Sequence, residues 1–310
     1  MRIVVSEFMD EAAVATLAAH HPTEYDAGLV DRREELKAKL IDADALIVRN
    51  RTQVNAELLA AAPRLAVVGR LGVGLDNIDV AACKARGIAV IPATGANALA
   101  VAEYVIGAAM ILLRGAYAAT ADVAAGKWPR GPLSSGREIA GKTLGVVGFG
   151  GIGRLTAGLG RALGMRVIGF DAEIGPDHAA WREEGVEPRT LDALLAQSDV
   201  LTLHVPLVPA TRNLIDGKRI AAMKPGAILV NTARGGVVDE AAVAAALVAG
   251  KLGGAALDVF EKEPLPAGSA LAGCPNLLLT PHIAGVTAES NERVSSMIAE
   301  KVIEALASRA

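Results

Sequence analysis

The chain lacks several features that would place its function elsewhere. Its 310 residues include only two cysteines, Cys83 and Cys274, which stand far apart and without the spacing of a metal site. We therefore expect free, buried thiols in a reducing compartment, with neither a disulfide nor a metal centre. The net charge is −3 and no long basic run occurs, which argues against a nucleic-acid partner.

Long apolar runs are also missing. The longest covers residues 99–113, which is too short to span a bilayer and is interrupted by Glu103 and Tyr104. It predicts a buried helix that is a candidate for a subunit contact. Acidic residues within the first ten positions are not typical of a signal peptide, so we expect a cytoplasmic protein without a membrane partner. Aromatic residues make up only 3% of the chain, which predicts an aliphatic core.

The stretch from Lys142 to Asp171 has the pattern of a dinucleotide site. An apolar run over residues 143–147 predicts a buried strand, which ends in the turn Gly148-Phe149-Gly150-Gly151-Ile152-Gly153. A predicted helix follows to about residue 163, and a second apolar run ends on Asp171, 18 residues beyond Gly153. Strand, G-x-G-x-x-G, helix and acid in this order are typical of dinucleotide-binding units.

Each part of this pattern has a physical role. Gly148 permits a tight turn, Gly150 lets the backbone approach a pyrophosphate, and Gly153 allows close helix–strand packing. The N–H groups and the positive end of the helix then face the phosphates. A carboxylate at Asp171 suits the ribose diol of NAD and would repel the 2′-phosphate of NADP, so we expect NAD as the cofactor.

Strand-like and helix-like segments alternate through both halves of the chain. Four short apolar runs in residues 1–95 and six in residues 143–279 predict two doubly wound parallel-sheet α/β domains. No glycine-rich turn follows the first strand, so the first half is not expected to hold the nucleotide. One long helix over 97–125 is expected to link the domains. An amphipathic helix over 287–309, with no strand after it, is expected to return to the first domain.

Three further signatures follow predicted strands of the second half. They are residues 231–236 with Arg234, residues 257–264 with Asp258 and Glu263, and residues 280–285 with His282. Open α/β sheets bind ligands at the carboxyl ends of their strands. The fork of an arginine suits a carboxylate and a neighbouring carbonyl oxygen, and a histidine suits proton exchange near neutral pH. Either Glu263 or Asp258 could orient the His282 ring; each residue taken alone is also compatible with a structural role.

Together these motifs resemble the D-2-hydroxyacid dehydrogenase family. GFGGIG with Asp171, NTARGG, LDVFEKEP, TPHIAG and GRLGVGLDNID (69–79) span almost the whole chain. The resemblance implies a Rossmann NAD-binding domain over 97–285 and a discontinuous flavodoxin-like substrate domain over 1–96 and 286–310. It also implies a homodimer held partly by the 97–125 helix.

The resemblance further implies roles for individual residues. Arg234 is expected to bind the carboxylate and carbonyl of a 2-oxo acid, and His282, paired with Glu263, to act as general acid and base. Backbone amides of Val73 and Gly74 are expected to hold the substrate carboxylate. The expected cofactor-binding residues are Gly148, Gly150, Gly151, Ile152, Gly153, Asp171, Val205, Pro206, Thr232, Ala233, Asp258 and Gly285.

Two branches of the family are more similar to this chain than the rest. Residues 48–52 (VRNRT) resemble phosphoglycerate dehydrogenases, whereas SEFMDEAAV, IVRNRTQV and PHIAGVTAESNER resemble bacterial sulfolactate dehydrogenases. A sulfonate or phosphate at C3 of the substrate would explain the two nearby cations, Arg49 and Arg51. The alternative is that one or both arginines make a structural salt bridge.

The leading interpretation is an NAD-dependent oxidoreductase that interconverts a small anionic 2-hydroxy acid and its 2-oxo acid, with sulfolactate and sulfopyruvate as the favoured pair. The alternatives within the family are a 3-phosphoglycerate dehydrogenase and a hydroxypyruvate or glyoxylate reductase. An enzyme acting on formate or phosphite would not need two arginines prepared for a larger substrate. The alternative from another class is an NAD-sensing, corepressor-like binding protein, although the chain has no basic patch that would favour it.

Overall fold

The computed structural model describes residues 1–309, and the chain divides into two compact units. The first comprises Met1–Asn97 together with the segment that begins at Val286, and the second comprises Ala98–Gly285. Each unit has its own parallel sheet with a hydrophobic cluster on either face. The prediction of two parallel-sheet α/β domains is therefore confirmed.

The sheet of the first unit is built from short runs of aliphatic residues. Its strands are β1 (Ile3–Val5), β2 (Thr23–Tyr25), β3 (Ala45–Val48), β4 (Val67–Arg70) and β5 (Ala89–Pro92). The spatial order is β2-β1-β3-β4-β5, all parallel, which is the flavodoxin-like arrangement. The connecting helices are α1 (Glu11–His20), α2 (Arg33–Leu40), α3 (Ala56–Ala60) and α4 (Val80–Ala85).

The second unit contains a seven-stranded parallel sheet. Its strands are β6 (Thr143–Val147), β7 (Arg166–Phe170), β8 (Glu187–Pro188), β9 (Val200–Leu203), β10 (Ala227–Asn231), β11 (Leu252–Leu257) and β12 (Leu277–Leu279). The order is β12-β11-β10-β9-β6-β7-β8, so the connections reverse direction at β6. This is the doubly wound order in which the reversal point forms the ligand crevice.

The second unit contains seven α-helices within the described residues. They are α5 (Ala98–Arg114), α6 (Thr120–Ala124), α7 (Gly151–Ala162), α8 (Ala179–Glu183), α9 (Leu191–Gln197), α10 (Gly217–Ala222) and α11 (Glu240–Val248). Helix α5 packs Val105, Ala109 and Leu112 into the same cluster as Leu144 of β6. The apolar side of α5 thereby packs on α7 and on strands β10 and β11.

The last helix, α12 (Ala288–Ala307), belongs to the first unit. Its N-terminus is closed by a capping box in which Thr287 and Ser290 satisfy each other's backbone N–H groups. Gly69 in β4 lets it lie close to the sheet, because a Cβ there would be 2.9 Å from Ile298 and Val302. The chain therefore returns to complete the core that it began at β1.

Two strands and one helix differ from the sequence expectations. Strands β2 and β8 were not expected, because they are short edge strands with polar residues and carry no apolar run. The single helix expected over 97–125 is wrong. It ends at Arg114, because Gly115 has a left-handed φ of +64°, and a separate short helix, α6, follows.

The thiols and the apolar helices can now be placed. Both thiols are free, and Cys83 is buried as expected. The expectation of a buried thiol is wrong for Cys274, which is partly exposed. Within residues 1–309 no single helix is long and apolar enough to cross a membrane. The bent pair Ala98–Arg114 and Tyr117–Ala124 would qualify together, by length and composition only.

Candidate active site

Six strands of the second unit end at one edge of its sheet, and residues predicted for the site follow each of them. Because the strands are parallel, their carboxyl ends share that edge. In chain order, β6 is followed by the glycine-rich turn, β7 by Asp171, β9 by Val205 and Pro206, β10 by Thr232, Ala233 and Arg234, β11 by Asp258, and β12 by His282 and Gly285.

The glycine-rich turn excludes side chains at two of its positions. Gly148 has a φ of +92°, and a Cβ there would collide with the carbonyl oxygen of His204. A Cβ at Gly153 would collide with the carbonyl oxygen of Gly148. At Gly150 and Gly151, by contrast, nothing lies within 4 Å of a Cβ position, so the start of α7 is open to a ligand. Ile152 follows in the first turn of that helix.

Asp171 ties the end of β7 to this turn. Its Oδ2 accepts a hydrogen bond from Phe149 N at 2.6 Å, and its Oδ1 accepts one from Glu173 N at 2.8 Å. Each oxygen keeps a second lone pair for a ribose hydroxyl. The hydroxyl of Thr232 is buried and has no hydrogen-bond partner within residues 1–309. An open glycine cradle, a carboxylate and an unsatisfied hydroxyl fit a bound NAD.

His282 and Glu263 are in direct contact. The Nδ1 atom of His282 lies 2.9 Å from Oε2 of Glu263, and Oε1 of Glu263 accepts a hydrogen bond from Phe260 N at 3.1 Å. The backbone thus fixes the carboxylate, and the carboxylate fixes the ring. The sequence left both Glu263 and Asp258 as possible partners for His282, and the geometry places Glu263 there.

Asp258 serves the same loop in another way. Its side chain is buried, with only 1% of the residue exposed, and both of its oxygens accept hydrogen bonds. Oδ1 accepts from Ile283 N and Oδ2 from Ala284 N, each at 2.8 Å. The Asp258 carboxylate therefore binds the backbone next to His282, whereas the imidazole is bound by Glu263.

His204 is the other histidine at this edge of the sheet. Its Nε2 lies 3.0 Å from the hydroxyl of Thr202, and burial lowers its pKa to about 3. A ring with this pKa stays neutral at physiological pH, so it is poorly suited to donate a proton to a substrate. His282 is the better candidate for proton exchange.

Arg234 lies in a loop that is held from within. Asn231 donates from Nδ2 to the carbonyl oxygen of Arg234 at 3.0 Å and accepts from Ala233 N at 3.1 Å. Nη1 of Arg234 donates to the carbonyl oxygen of Ala233 at 2.6 Å. A Cβ at Gly235 would overlap the backbone of Phe260, so the loop packs directly on the segment that leads to Glu263.

In the first unit, a buried carboxylate organises the loop that carries the two arginines. Glu7 follows β1 and is only 4% exposed. Its Oε1 accepts from Arg49 N at 2.8 Å and from Thr52 N at 2.9 Å, and its Oε2 accepts from Arg51 N at 3.1 Å. Three backbone N–H groups donate to this carboxylate, which thereby holds the main chain of the loop in place.

The two arginine side chains have different surroundings. Arg49 is partly buried, donates to Oδ1 of Asn291 at 2.8 Å, and lies with its guanidinium 5.8 Å from the centre of the Phe8 ring. Burial lowers the pKa of Arg49, and the charge of Glu7 opposes that shift. Arg51 is exposed and forms an ion pair with Asp31. No carboxylate within residues 1–309 makes an ion pair with Arg49.

The loop expected to hold the substrate carboxylate follows β4. Gly72 has a φ of +152° and donates its N–H to the carbonyl oxygen of Arg70 at 2.8 Å, which turns the chain sharply. Val73 is 37% exposed, which is unusual for a valine beside a buried strand. Gly74, the next residue, is partly exposed.

Sequence reasoning missed Glu7, Phe8 and Asn291. The only signal for Glu7 was a charged residue directly after a buried strand. Asn291 gave none, because 242 residues separate it from Arg49. Within residues 1–309 no group of three or more His, Cys, Asp or Glu side chains could hold a metal ion.

Comparison with known proteins gives a consistent result. Residues 106–284 match the model of the D-isomer specific 2-hydroxyacid dehydrogenase, NAD binding domain. The chain is 54% identical over 308 residues to the (S)-sulfolactate dehydrogenase of Chromohalobacter salexigens, covering 99% of both chains. It is 45% identical to the D-3-phosphoglycerate dehydrogenase of Mycobacterium bovis over 89% of its own length but only 51% of that protein, so it spans about half of this longer relative.

A solved structure agrees at the level of the fold. The D-lactate dehydrogenase of Aquifex aeolicus, complexed with NAD and lactic acid, superposes with a TM-score of 0.84 at 31% identity and covers 100% of this chain and 96% of its own. The parallel sheets, the glycine-rich turn and these matches lead to one conclusion. The chain belongs to the D-isomer specific 2-hydroxyacid dehydrogenase family and is an NAD-dependent 2-hydroxyacid dehydrogenase.

Proposed function

We propose that this dehydrogenase interconverts a 2-hydroxy acid and a 2-oxo acid that carry a second anion at C3, with sulfolactate and sulfopyruvate as the pair. The observation that carries the substrate choice is Arg49, a partly buried cation that donates to a neutral amide and has no ion-pair partner within residues 1–309. A desolvated guanidinium of this kind favours an anionic ligand.

We propose Arg234, Glu263 and His282 as the catalytic residues. In the reductive direction the imidazolium of His282 donates its Nε2 proton to the oxygen of the 2-oxo group, which becomes the hydroxyl of the product. Glu263, 2.9 Å from Nδ1, holds the ring in place for this transfer. Bound NADH supplies the hydride that the carbonyl carbon accepts. In the oxidative direction neutral His282 takes the hydroxyl proton.

Arg234 has a different task in this proposal. Its fork of donors binds the substrate carboxylate and stabilises the negative charge that develops on the carbonyl oxygen. The amides of Val73 and Gly74 assist with the carboxylate. The cofactor residues are those of the glycine-rich turn, with Asp171 at the ribose, Val205 and Pro206 after β9, Thr232 and Ala233 after β10, and Asp258 and Gly285 beside His282.

The substrate proposal is tested by pairing two substrates with two arginine variants. Sulfopyruvate should be reduced far more efficiently than pyruvate or glyoxylate. Arg49→Ala should lower kcat/KM for sulfopyruvate by about one to two decades, because a charge-assisted hydrogen bond contributes ~1.5–3 kcal/mol. Pyruvate kinetics should change little. Arg51→Ala removes an exposed cation that already pairs with Asp31 and is the matched control.

Two results would redirect the proposal. Equal losses on sulfopyruvate and pyruvate in Arg49→Ala would make that residue structural. Higher efficiency with phosphohydroxypyruvate, hydroxypyruvate or glyoxylate in the same NADH assay would replace the sulfonate with that substrate.

The catalytic proposal is tested at His282. His282→Ala should lower turnover by roughly 10²–10⁴-fold if the ring transfers the proton. In the wild type, reduction should decline as the pH rises and oxidation should decline as the pH falls, because the two directions need opposite protonation states. Wild-type turnover in His282→Ala, with a primary hydride isotope effect to show that chemistry limits the rate, would assign the proton to another group.

We also propose that the enzyme is a cytoplasmic homodimer. Support for the dimer comes from α5, which packs one side into its own unit while Met110 and Ile111 are 43% and 39% exposed on the other. Trp128, in the loop that follows α6, is 78% exposed. Large apolar side chains exposed to this extent are candidates for a subunit contact.

A further inference from the structure

His282 has an unfavourable backbone conformation, which contacts with surrounding residues must hold in place. Its φ is +57°, in the left-handed region that residues with a Cβ seldom adopt. Its N–H bonds to the carbonyl oxygen of Asp258 at 2.8 Å and to that of Thr280 at 3.0 Å. The next two N–H groups, of Ile283 and Ala284, bond to the Asp258 carboxylate. Three consecutive backbone donors therefore converge on one residue.

Asp258 is itself held by a hydroxyl chain that starts on another element. The hydroxyl of Thr280 donates to Oδ1 of Asp258 at 2.6 Å. The phenol of Tyr104, on α5, lies 2.6 Å from the same Thr280 oxygen. Because Thr280 has a single hydroxyl proton and gives it to Asp258, Tyr104 must be the donor to Thr280. The hydrogen bonds of this hydroxyl chain are therefore donated in one direction, from Tyr104 to Thr280 and from Thr280 to Asp258.

The hydroxyl chain is partly buried and polarised. Burial raises the pKa of Tyr104, so the phenol keeps its proton and remains a donor at physiological pH. Each hydroxyl that donates becomes a better acceptor, so linked donors strengthen one another in a low-dielectric site. Removing the first donor should therefore weaken the last bond, the one that Thr280 makes to Asp258.

We propose that Tyr104 and Thr280 are positioning residues for His282, acting through Asp258 to hold the left-handed turn that aims the imidazole. The inference rests on the proposed proton transfer by His282. Neither residue needs to touch substrate or cofactor. Glu263 fixes the ring from its Nδ1 side, and this hydroxyl chain fixes the backbone that carries the ring.

The test uses substitutions that preserve volume. Thr280→Val and Tyr104→Phe each remove one hydroxyl, whereas Thr280→Ser keeps the donor. Turnover in both directions should fall about three- to tenfold in Thr280→Val and Tyr104→Phe, the range expected when one hydrogen bond is lost, and should stay near wild type in Thr280→Ser. The dissociation constant of NADH, measured by fluorescence, should change less than turnover. Tyr117→Phe, at an exposed tyrosine, is the control.

The deciding measurement repeats these substitutions in a His282→Ala background. A positioning residue acts through the imidazole, so neither Thr280→Val nor Tyr104→Phe should lower the residual turnover of His282→Ala any further. A full-sized loss in that background would overturn the positioning role, as would wild-type turnover in both single variants. Wild-type turnover in His282→Ala itself would instead overturn the proposed function. If Thr280→Val does not fold, Tyr104→Phe, which removes a single oxygen, can be used for the same measurement.

Discussion

At the scale of single residues, the surroundings of a charge decide what it can do. Arg49 and Arg51 are two positions apart in the same loop, and nothing in their sequence context distinguishes them. Arg51 already pairs with Asp31 at the surface, so its charge is compensated, and exposed pairs of this kind contribute little. Arg49 is partly buried against an amide and an aromatic ring. Its charge is therefore the one that we propose for the substrate anion.

Asp171 gives a prediction about cofactor choice. The wild-type enzyme should prefer NADH to NADPH by at least about tenfold in kcat/KM, which corresponds to about 1.4 kcal/mol. The physical reason is that a 2′-phosphate would meet the Asp171 carboxylate, and Ala172, Glu173 and Ile174 offer no cation to neutralise it. Steady-state kinetics with both cofactors measures this ratio. Equal kcat/KM values with NADH and NADPH would contradict the proposed contact between Asp171 and the ribose.

A pair of variants separates the charge of Asp171 from its part in the turn. Asp171→Asn keeps an oxygen that can accept from Phe149 N, and it should bring the two cofactors closer together. Glu173→Gln removes a neighbouring exposed carboxylate and should leave the preference as it is. A shift of the same size in both variants would point to the general charge of the region as its cause.

At the scale of helices and strands, hydrophobic patterning predicted the aliphatic strands and missed the two polar edge strands, β2 and β8. Strands such as β3 and β10 are continuous aliphatic runs, as expected where helices cover both faces of a sheet. Strands β2 and β8 have polar residues and owe their conformation to one neighbouring strand. Gly115 could have marked the end of the helix. The apolar residues on both sides of it, however, continue the helical pattern, so one long helix was predicted.

The glycine-rich turn makes a prediction at this scale. Gly153→Ala should lower the free energy of unfolding by about 1–3 kcal/mol and weaken NADH binding, because the new methyl group would collide with the carbonyl oxygen of Gly148. Gly158 lies in the same helix with nothing within 4 Å of a Cβ position. Gly158→Ala should therefore be stabilising by up to about 1 kcal/mol. Urea denaturation and NADH fluorescence titration provide both measurements, and equal effects at the two positions would contradict the packing argument.

At the scale of the whole molecule, local sequence motifs were enough to predict where the candidate site lies. The contacts that hold its side chains in place join residues that are far apart in the sequence. Asp171, Arg234, Glu263 and His282 could be found because each belongs to a short motif that follows a strand. The bonds that hold them could not be found in this way. Tyr104 and Thr280 are 176 residues apart, and Arg49 and Asn291 are 242 apart. Such pairs exist only after the sheets have formed, so no local pattern encodes them.

The proposed homodimer is the prediction that concerns the assembly. Sedimentation equilibrium should give twice the chain mass of 31.7 kDa. Met110→Lys or Ile111→Lys should shift the enzyme towards monomers, because a symmetric contact would bring each new charge into an apolar interface together with its copy. Val248→Lys is the control, since Val248 is 73% exposed on α11, and it should leave the mass unchanged. A monomeric wild type, or a dimer that tolerates a lysine at both positions, would assign the exposed side of α5 to another role.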